Sequence, residues 1–343
     1  NLVLITFAIW VAPLMDIPIM ALAWGVLVAG VVQLLFHLPF LYKLDLLPHP
    51  TREKDEGVDD VKRLMLPALF GVSVAQINLL VDTILASFLV TGSVSWLYYS
   101  DRLMEFPLGV FGVALATVVL PGLSKKAANE NWQGFQEDID SALRLVFIIG
   151  LPATLGLLIL AEPLITTLFF YGAFTAHDAT MSSMSLMAYS FGLLGFILVK
   201  ILAPAFYARK DMKTPVKVAV VALVTNTVLN LIFIGPFAHV GLAAATTISA
   251  FVNAGLLYWY LQKQQVFTPM QGWGKLIVQI LIANVVLVVF LLSLSPAVEL
   301  WHSYDVWMRM SWLFGLVIGS IVIYGLVLVM LGLNPRKLVN KSS

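Results

Sequence analysis

The stretch LIVQILIANVVLVVFLLSL, residues 276–294, carries nineteen residues and no charge. A helix of about 20 apolar residues, rising 1.5 Å each, crosses the hydrocarbon core of a bilayer. Outward from it, comparable runs recur between short charged or Pro/Gly-containing breaks, at 2–11, 17–42, 64–90, 93–123, 142–160, 181–207, 216–234, 240–262 and 310–333. The composition agrees, with 60% of the 343 residues apolar and 11% charged, where soluble domains carry roughly 25% charged residues. An ordinary soluble domain is excluded, and a transmembrane β-barrel would show short alternating segments instead. The expected fold is an all-α integral membrane protein, a polytopic bundle of about ten transmembrane helices.

Threading the chain alternately through a bilayer puts 17 of its 20 basic residues on one side. These are Lys43, Arg52, Lys54, Lys62, Arg63, Lys125, Lys126, Arg144, Arg209, Lys210, Lys213, Lys217, Lys263, Lys275, Arg336, Lys337 and Lys341, while the other side receives Arg309. The positive-inside rule makes the populated side cytoplasmic, with both ends of the chain on it. Trp96, Tyr98 and Tyr99 fit an aromatic belt at one interface, and Trp259, Tyr260 and Trp273 at the other. The mixed-charge loop 43–63, with Pro48 and Pro50, reads as a cytoplasmic linker and domain boundary. Residues 64–262 then form one six-helix lobe, 263–275 a cytoplasmic connector, 276–333 a terminal helix pair and 334–343 a cytoplasmic tail. Residues 1–42 read as the end of a preceding bundle. They begin inside an apolar run without a basic head or cleavage site, so an upstream segment is expected to be missing.

Several chemistries drop out. The chain has no cysteine, and its five histidines are too scattered for a metal cluster. A net charge of +1 gives no indication of a nucleic-acid partner, and no Walker-type glycine loop is present. His177 and Asp178 sit in an outer loop without a serine nearby, so no catalytic role is assigned to them. Glu137, Asp138 and Asp140 are placed in a cytoplasmic loop and read as a solvated face or an amphipathic interfacial helix.

The informative residues are those that hydrocarbon should reject. Arg102 and Lys200 lie inside spans, where a charge costs several kcal/mol unless it faces a partner or a watery cavity. Arg102 stands nine residues past Ser93, about 13 Å deep, in a run where Asp101 and Glu105 share a face at i, i+4. Two readings follow: a neutralised Arg/Glu pair locking helices, or a cavity cation gripping phosphate or carboxylate with parallel hydrogen bonds. Lys200, roughly 10 Å from the cytoplasmic end, either snorkels to the interface or adds a second positive charge to the cavity. Asp82, Asn226, Asn230 and Thr246 come from three spans yet fall at similar depth, about 9 to 15 Å from the outer surface. Oxygen donors with a single carboxylate suit a hard monovalent cation such as sodium; interhelical hydrogen bonding is the alternative, and Gln76 and Asn78 are read that way. Pro67, Pro107, Gly109, Gly112, Pro152 and Pro204 mark candidate kinks.

The run Trp96-Leu97-Tyr98-Tyr99-Ser100-Asp101-Arg102-Leu103-Met104-Glu105-Phe106-Pro107, continuing through Gly109, Gly112, Ala114, Leu120-Pro121 and Leu123-Ser124, resembles the signature of the MurJ (MviN) lipid II flippases. Tyr171-Gly172-Ala173-Phe174-Thr175, the stretch from Lys200 to Pro204, and Asp211-Met212-Lys213-Thr214-Pro215-Val216 are similar to the same family. The resemblance implies a two-lobe fold of the multidrug/oligosaccharidyl-lipid/polysaccharide exporter type, with two final helices forming a hydrophobic groove. On that plan residues 1–42 are the last two helices of the first lobe, 64–262 the complete second lobe and 276–333 the groove hairpin, while the family's first four helices have no counterpart. The implied activity is translocation of undecaprenyl-diphosphate-linked peptidoglycan precursor, lipid II, across the bacterial cytoplasmic membrane by alternating access. No enzymatic step and no cofactor is implied, the sodium coupling ion resting mainly on the depth argument above; the partners are lipid II and membrane lipids. Arg102 matches the family's cavity arginine in this lobe and Lys200 its intramembrane lysine, with Asp101 and Glu105 beside them. An exporter of another lipid-linked oligosaccharide or of drugs is the alternative. A polyprenyl-phosphate glycosyltransferase would need carboxylates and a large loop on one face, and the outer loops here are short.

Overall fold

Hydrocarbon offers no partner for a backbone N–H or C=O, so an apolar chain must close its hydrogen bonds within helices. The computed structural model describes residues 1–47 and 56–333, apart from the side chains at 56, 57, 60, 62–64, 66–68, 70–72 and 75. Among the described residues every regular element is helical. Two compact units result, Asn1–Asp60 and Val61–Ser343.

In the first unit, α1 (Leu2–Thr6) runs on through a π-turn at Phe7–Val11 and a 3₁₀ turn at Ala12–Leu14; α2 (Pro18–Lys43) follows. Pro18 opens α2, where a missing N–H costs nothing. Ala21 and Gly25 are buried, and a Cβ on Gly25 would stand 3.0 Å from Phe7 Cβ. Small residues thus let the two segments lie close.

The second unit holds α3 (Glu56–Ser87, shared across the boundary), α4 (Ser93–Pro107), a π-segment (Leu108–Val113), α5 (Ala114–Ala128), α6 (Trp132–Ile159) and α7 (Ala161–Phe169). It continues with α8 (Ala176–Tyr207), α9 (Lys213–Lys263), α10 (Trp273–Leu294), α11 (Val298–Ser303) and α12 (Val306–Met330). The central strut is α8, which packs against α4, α5, α6, α7 and α9. Its contact with α9 is close because Gly192 and Gly195 present no side chain: a Cβ there would meet the Thr247 and Ala250 backbone at 3.1 and 3.2 Å. Thr247 then donates to the Ala188 carbonyl at 2.7 Å. The pair α10/α12 packs through Leu287, Leu291 and Leu316 and is tied to α6 by the Tyr324 hydroxyl on the Ile148 carbonyl at 2.7 Å.

Two family-like motifs turn out to be local scaffolding. Thr175 and Asp178 form a reciprocal capping box that starts α8, after Gly172 turns in the left-handed region at φ 60°. Asp211 accepts from the Lys213 and Thr214 amides at 3.1 and 3.0 Å and from the Thr214 hydroxyl at 2.6 Å, starting α9.

Seven helices among the described residues are long and apolar enough to cross a membrane. About ten were expected; the counts differ because one 51-residue helix, α9, contains two apolar arms, while Leu2–Leu14 and Gln76–Ser87 are shorter apolar helices. Ala238, at φ 48° and ψ −130°, interrupts α9, and Asn226 on one arm lies 3.0 Å from Thr246 on the other. Twenty residues of straight helix would hold them about 30 Å apart, so the arms fold back antiparallel. Two other expectations are corrected. The linker at 43–63 is shorter, because α3 already begins at Glu56, where the acidic sequence at 56–60 suits a helix N-terminus. The acidic stretch at 137–140 is part of α6, with Asp138 paired to Lys126 at 2.6 Å. Arg309, which the threading assigns to the outer side, is 6% exposed and bonds the Trp301 and His302 carbonyls at 2.9 and 3.1 Å. Pro152 and Pro204 are carried inside α6 and α8, and Pro107 is followed by the π-segment. Pro48, Pro50, Arg52, Lys54 and the tail 334–343 lie outside the described residues, as do the side chains of Lys62, Arg63 and Pro67.

The hairpin turn predicts opposite signs for two small substitutions. Ala238→Gly removes a Cβ from a conformation that L-residues avoid and raises stability by about 1 kcal/mol. Gly241→Ala sets a Cβ 2.5 Å from the Phe233 carbonyl oxygen and lowers it by about 1–3 kcal/mol. Thermal unfolding in detergent reads both.

Candidate functional site

The first cluster is built around Asp82, near the end of α3 and 9% exposed. Its Oδ1 accepts from Asn230 Nδ2 at 2.6 Å, and its Oδ2 from the Thr246 hydroxyl at 3.1 Å and Asn78 Nδ2 at 3.5 Å. Asn226 and Asn230, fully buried one turn apart on the first arm of α9, complete the set. The Asn226 amide has two orientations. In one it donates to Thr246 Oγ1 (3.0 Å) and accepts from Asn230 (2.8 Å). In the other it donates to Asn78 (2.8 Å) and Asp82 (3.1 Å) and accepts from the Thr246 amide and hydroxyl (3.2 and 3.0 Å). Either way one network joins the residues grouped by depth, and it adds Asn78, which was read as ordinary interhelical bonding. The signal for Asn78 is its i, i+4 spacing to Asp82. Asn230 Oδ1 is buried without a partner, a spare acceptor among oxygens of the kind hard cations take. Among the described residues no group of three or more His, Cys, Asp and Glu could hold a metal ion. The cluster therefore brings one carboxylate and neutral oxygens.

The second cluster lies on α4. Arg102 Nη1 meets Glu105 Oε2 at 2.6 Å, with the two side chains 53% and 48% exposed, and its guanidinium stands 5.0 Å from the centre of the Tyr98 ring. Asp101 is partly buried and makes no ion pair among the described residues; it interacts electrostatically with Arg102 and with Asp82. Lys200 is exposed on α8 and has no ion pair among the described residues. Its stem runs past Gly112, where a Cβ would stand 3.7 Å from Lys200 Cγ. Lys200 is thus beside the π-segment and does not join the Arg102–Glu105 pair.

Sequence reasoning missed a knot at one end of α4. Trp96, expected in an aromatic belt, is 4% exposed, and its Nε1 donates to Asp178 Oδ1 at 2.7 Å. Its ring packs against His239 at 4.9 Å and His177 at 5.6 Å, and His239 Nε2 lies 3.1 Å from the Met181 carbonyl. Ser100, one turn on, donates to the Ser182 carbonyl at 2.6 Å. These bonds fix the rotation of α4 that leaves Arg102 exposed. The indole N–H, which seeks an acceptor when buried, was the available signal.

An apolar groove of about 480 Å³ lies between α10 and helices α6, α8 and α9, lined among others by Phe147, Leu198, Phe251, Tyr258, Trp273 and Ile277. It is on the side of α10 that faces α6, α8 and α9. The seam between α10 and α12 is filled, with Gly319 against the Phe290 ring.

The model of the family described as "Lipid II flippase MurJ" matches residues 1–315. A Haemophilus influenzae protein named probable lipid II flippase MurJ is 44% identical over 100% of this chain and 68% of its own length. A solved lipid II flippase MurJ in an inward closed conformation superposes with a TM-score of 0.70 at 26% identity, over 92% of this chain and 61% of that one. A MATE protein in the straight conformation gives a TM-score of 0.51 at 19% identity, over 82% of this chain and 67% of that one, and shares the fold alone. The chain thus spans about two thirds of the relatives' length.

Trp96→Phe keeps the ring and deletes the bond to Asp178. It should lower stability by about 1–2 kcal/mol, and Trp96→Ala by about 3–5 kcal/mol, in thermal unfolding.

Proposed function

The chain belongs to the MurJ lipid II flippase family, a family of multi-pass proteins of the bacterial inner membrane, and from that premise we propose that it carries lipid II from the inner to the outer leaflet. The observation that carries the reading is a solvent-accessible Arg102–Glu105 pair on a helix whose neighbours are built for hydrocarbon. A diphosphate-sugar-peptide headgroup cannot enter hydrocarbon as an unpaired anion. A guanidinium offers it two parallel hydrogen bonds, and Glu105 holds that guanidinium in place until the headgroup arrives. Lys200, exposed and without an ion pair among the described residues, adds a second positive charge, and Asp101 stands beside Arg102. The undecaprenyl tail lies in the apolar groove beside α10 while the headgroup crosses a wet cavity. The two lobes of the family fold rock to open that cavity alternately to each face, without a chemical step.

Asp82, Asn226, Asn230 and Thr246, with Asn78, form the binding site for a monovalent cation, sodium, that biases this cycle. The unpartnered Asn230 oxygen supports the assignment. The cation draws donors from both arms of α9 and from α3, so binding and release alter how these helices pack. The side that carries Lys43, Lys125, Lys126, Arg144, Arg209, Lys210, Lys213, Lys217, Lys263 and Lys275 is the cytoplasmic one on this reading. Export of another lipid-linked oligosaccharide is the alternative, and substrate identity in the assay below separates the two.

Three outcomes test the reading. A chimera in which this chain replaces the matching part of the Haemophilus influenzae relative should sustain cells depleted of their own flippase and expose lipid II at the outer leaflet. Arg102→Ala should lower that exposure at least tenfold with membrane insertion intact; normal exposure removes the headgroup clamp. Asp82→Asn should abolish any sodium dependence of the initial rate, and an unchanged sodium response rejects the ion site.

A further inference from the structure

The cytoplasmic end of the apolar groove is closed by residues 266–271, a strap that follows the end of α9. Gln265 turns it in the left-handed region at φ 56°, and the Val266 amide bonds the Leu261 carbonyl at 3.0 Å. Phe267 and Pro269 of the strap line the groove, as does Trp273 at the start of α10. Their common anchor is a single carboxylate. Asp140 on α6, 2% exposed, accepts on Oδ1 from the Met270 amide at 3.0 Å and from Trp273 Nε1 at 2.7 Å. On Oδ2 it accepts from Arg144 Nε at 2.6 Å. Arg144 donates in turn to the Gln271 carbonyl at 2.8 Å, and its guanidinium stands 5.1 Å from the centre of the Trp273 ring. Gly272, at φ 97°, would place a Cβ 3.6 Å from Arg144 Nη1.

We propose that Asp140 and Arg144 are a positioning pair that sets the width of the groove for an isoprenoid chain, by holding the Trp273 ring and the strap on its wall. Resting on the proposed function, this reading takes the occupant as the tail of a polyprenyl diphosphate. The groove wall is apolar along Leu143, Phe147, Leu198 and Phe251, as an isoprenoid chain requires, and the ion-paired Arg144 serves to hold the wall rather than to bind the headgroup. The pair lies on α6 one turn apart, and Leu143 and Phe147 of the same helix line the groove. The clasp and the wall it shapes therefore share one rigid element. A carboxylate buried this deeply needs all its donors, so the three segments it joins hold one arrangement.

The test is photolabelling of the full chain in proteoliposomes with a diazirine-bearing undecaprenyl phosphate, read as label on the peptide containing Ile277. Asp140→Ala should lower that label at least fivefold, Asp140→Glu should restore most of it, and Trp273→Phe, which deletes one donor and keeps a ring, should lower it two- to threefold. Geranylgeranyl phosphate should compete better against the Asp140→Ala chain than against the unaltered one, a selectivity change that a general loss of stability does not produce. Equal label in the unaltered chain, Asp140→Ala and Trp273→Phe overturns the clasp. Should Asp140→Ala fail to insert, Trp273→Phe decides alone. Absence of label at Ile277 in the unaltered chain overturns the polyprenyl reading itself, whatever the variants do.

Discussion

A carboxylate within hydrocarbon persists only where donors reach it from several directions, and Asp82 receives them from its own helix and from both arms of α9. That requirement shapes the unit around it. The arms of α9 must fold back so that Asn230 and Thr246 stand at one level, which forces the unusual backbone at Ala238. Gly241 must pass close to the Phe233 carbonyl, and α8 must present glycine where it crosses the second arm. The polar knot and the glycine pattern are two sides of one constraint.

The same division runs through the family-like motifs. Thr175 with Asp178, and Asp211 with Thr214, are spent on starting helices, and Gly172 on a turn. Trp96 and Ser100 fasten α4 to α8. In the aromatic run only Arg102 and Glu105 are turned outward as a charged pair. A motif of twelve residues thus contains mostly the machinery that orients two of them.

The apolar spans were legible because hydrocarbon demands long uncharged runs, which any reader of the sequence can measure. The Asp82 cluster was legible for a related reason: depth along a helix is arithmetic, and polar residues at equal depth tend to meet. Legibility failed where a side chain's role depends on a partner remote in sequence. Trp96 bonds a residue 82 positions away and Trp273 one 133 positions away, and both passed for interfacial aromatics. Asp140 looked solvated because its neighbours Glu137 and Asp138 are acidic, whereas helix rotation sends it inward. Hydropathy marks where a helix becomes apolar, not where it begins, so the helix starts at Glu56 and Trp132 precede the apolar runs that signal them.

The π-segment at Leu108–Val113 has a consequence of a different kind. A π-turn houses one residue more than an α-turn, so it acts as a phase shifter between the helix that carries Arg102 and α5 beyond it. Deleting a residue there would rotate everything downstream by about 100°, taking Leu123, now fully buried, off the core. Side-chain substitution cannot produce that change. The angular relation between the charged pair and the rest of the lobe is therefore encoded in chain length, and length in this segment should resist change even where its side chains do not.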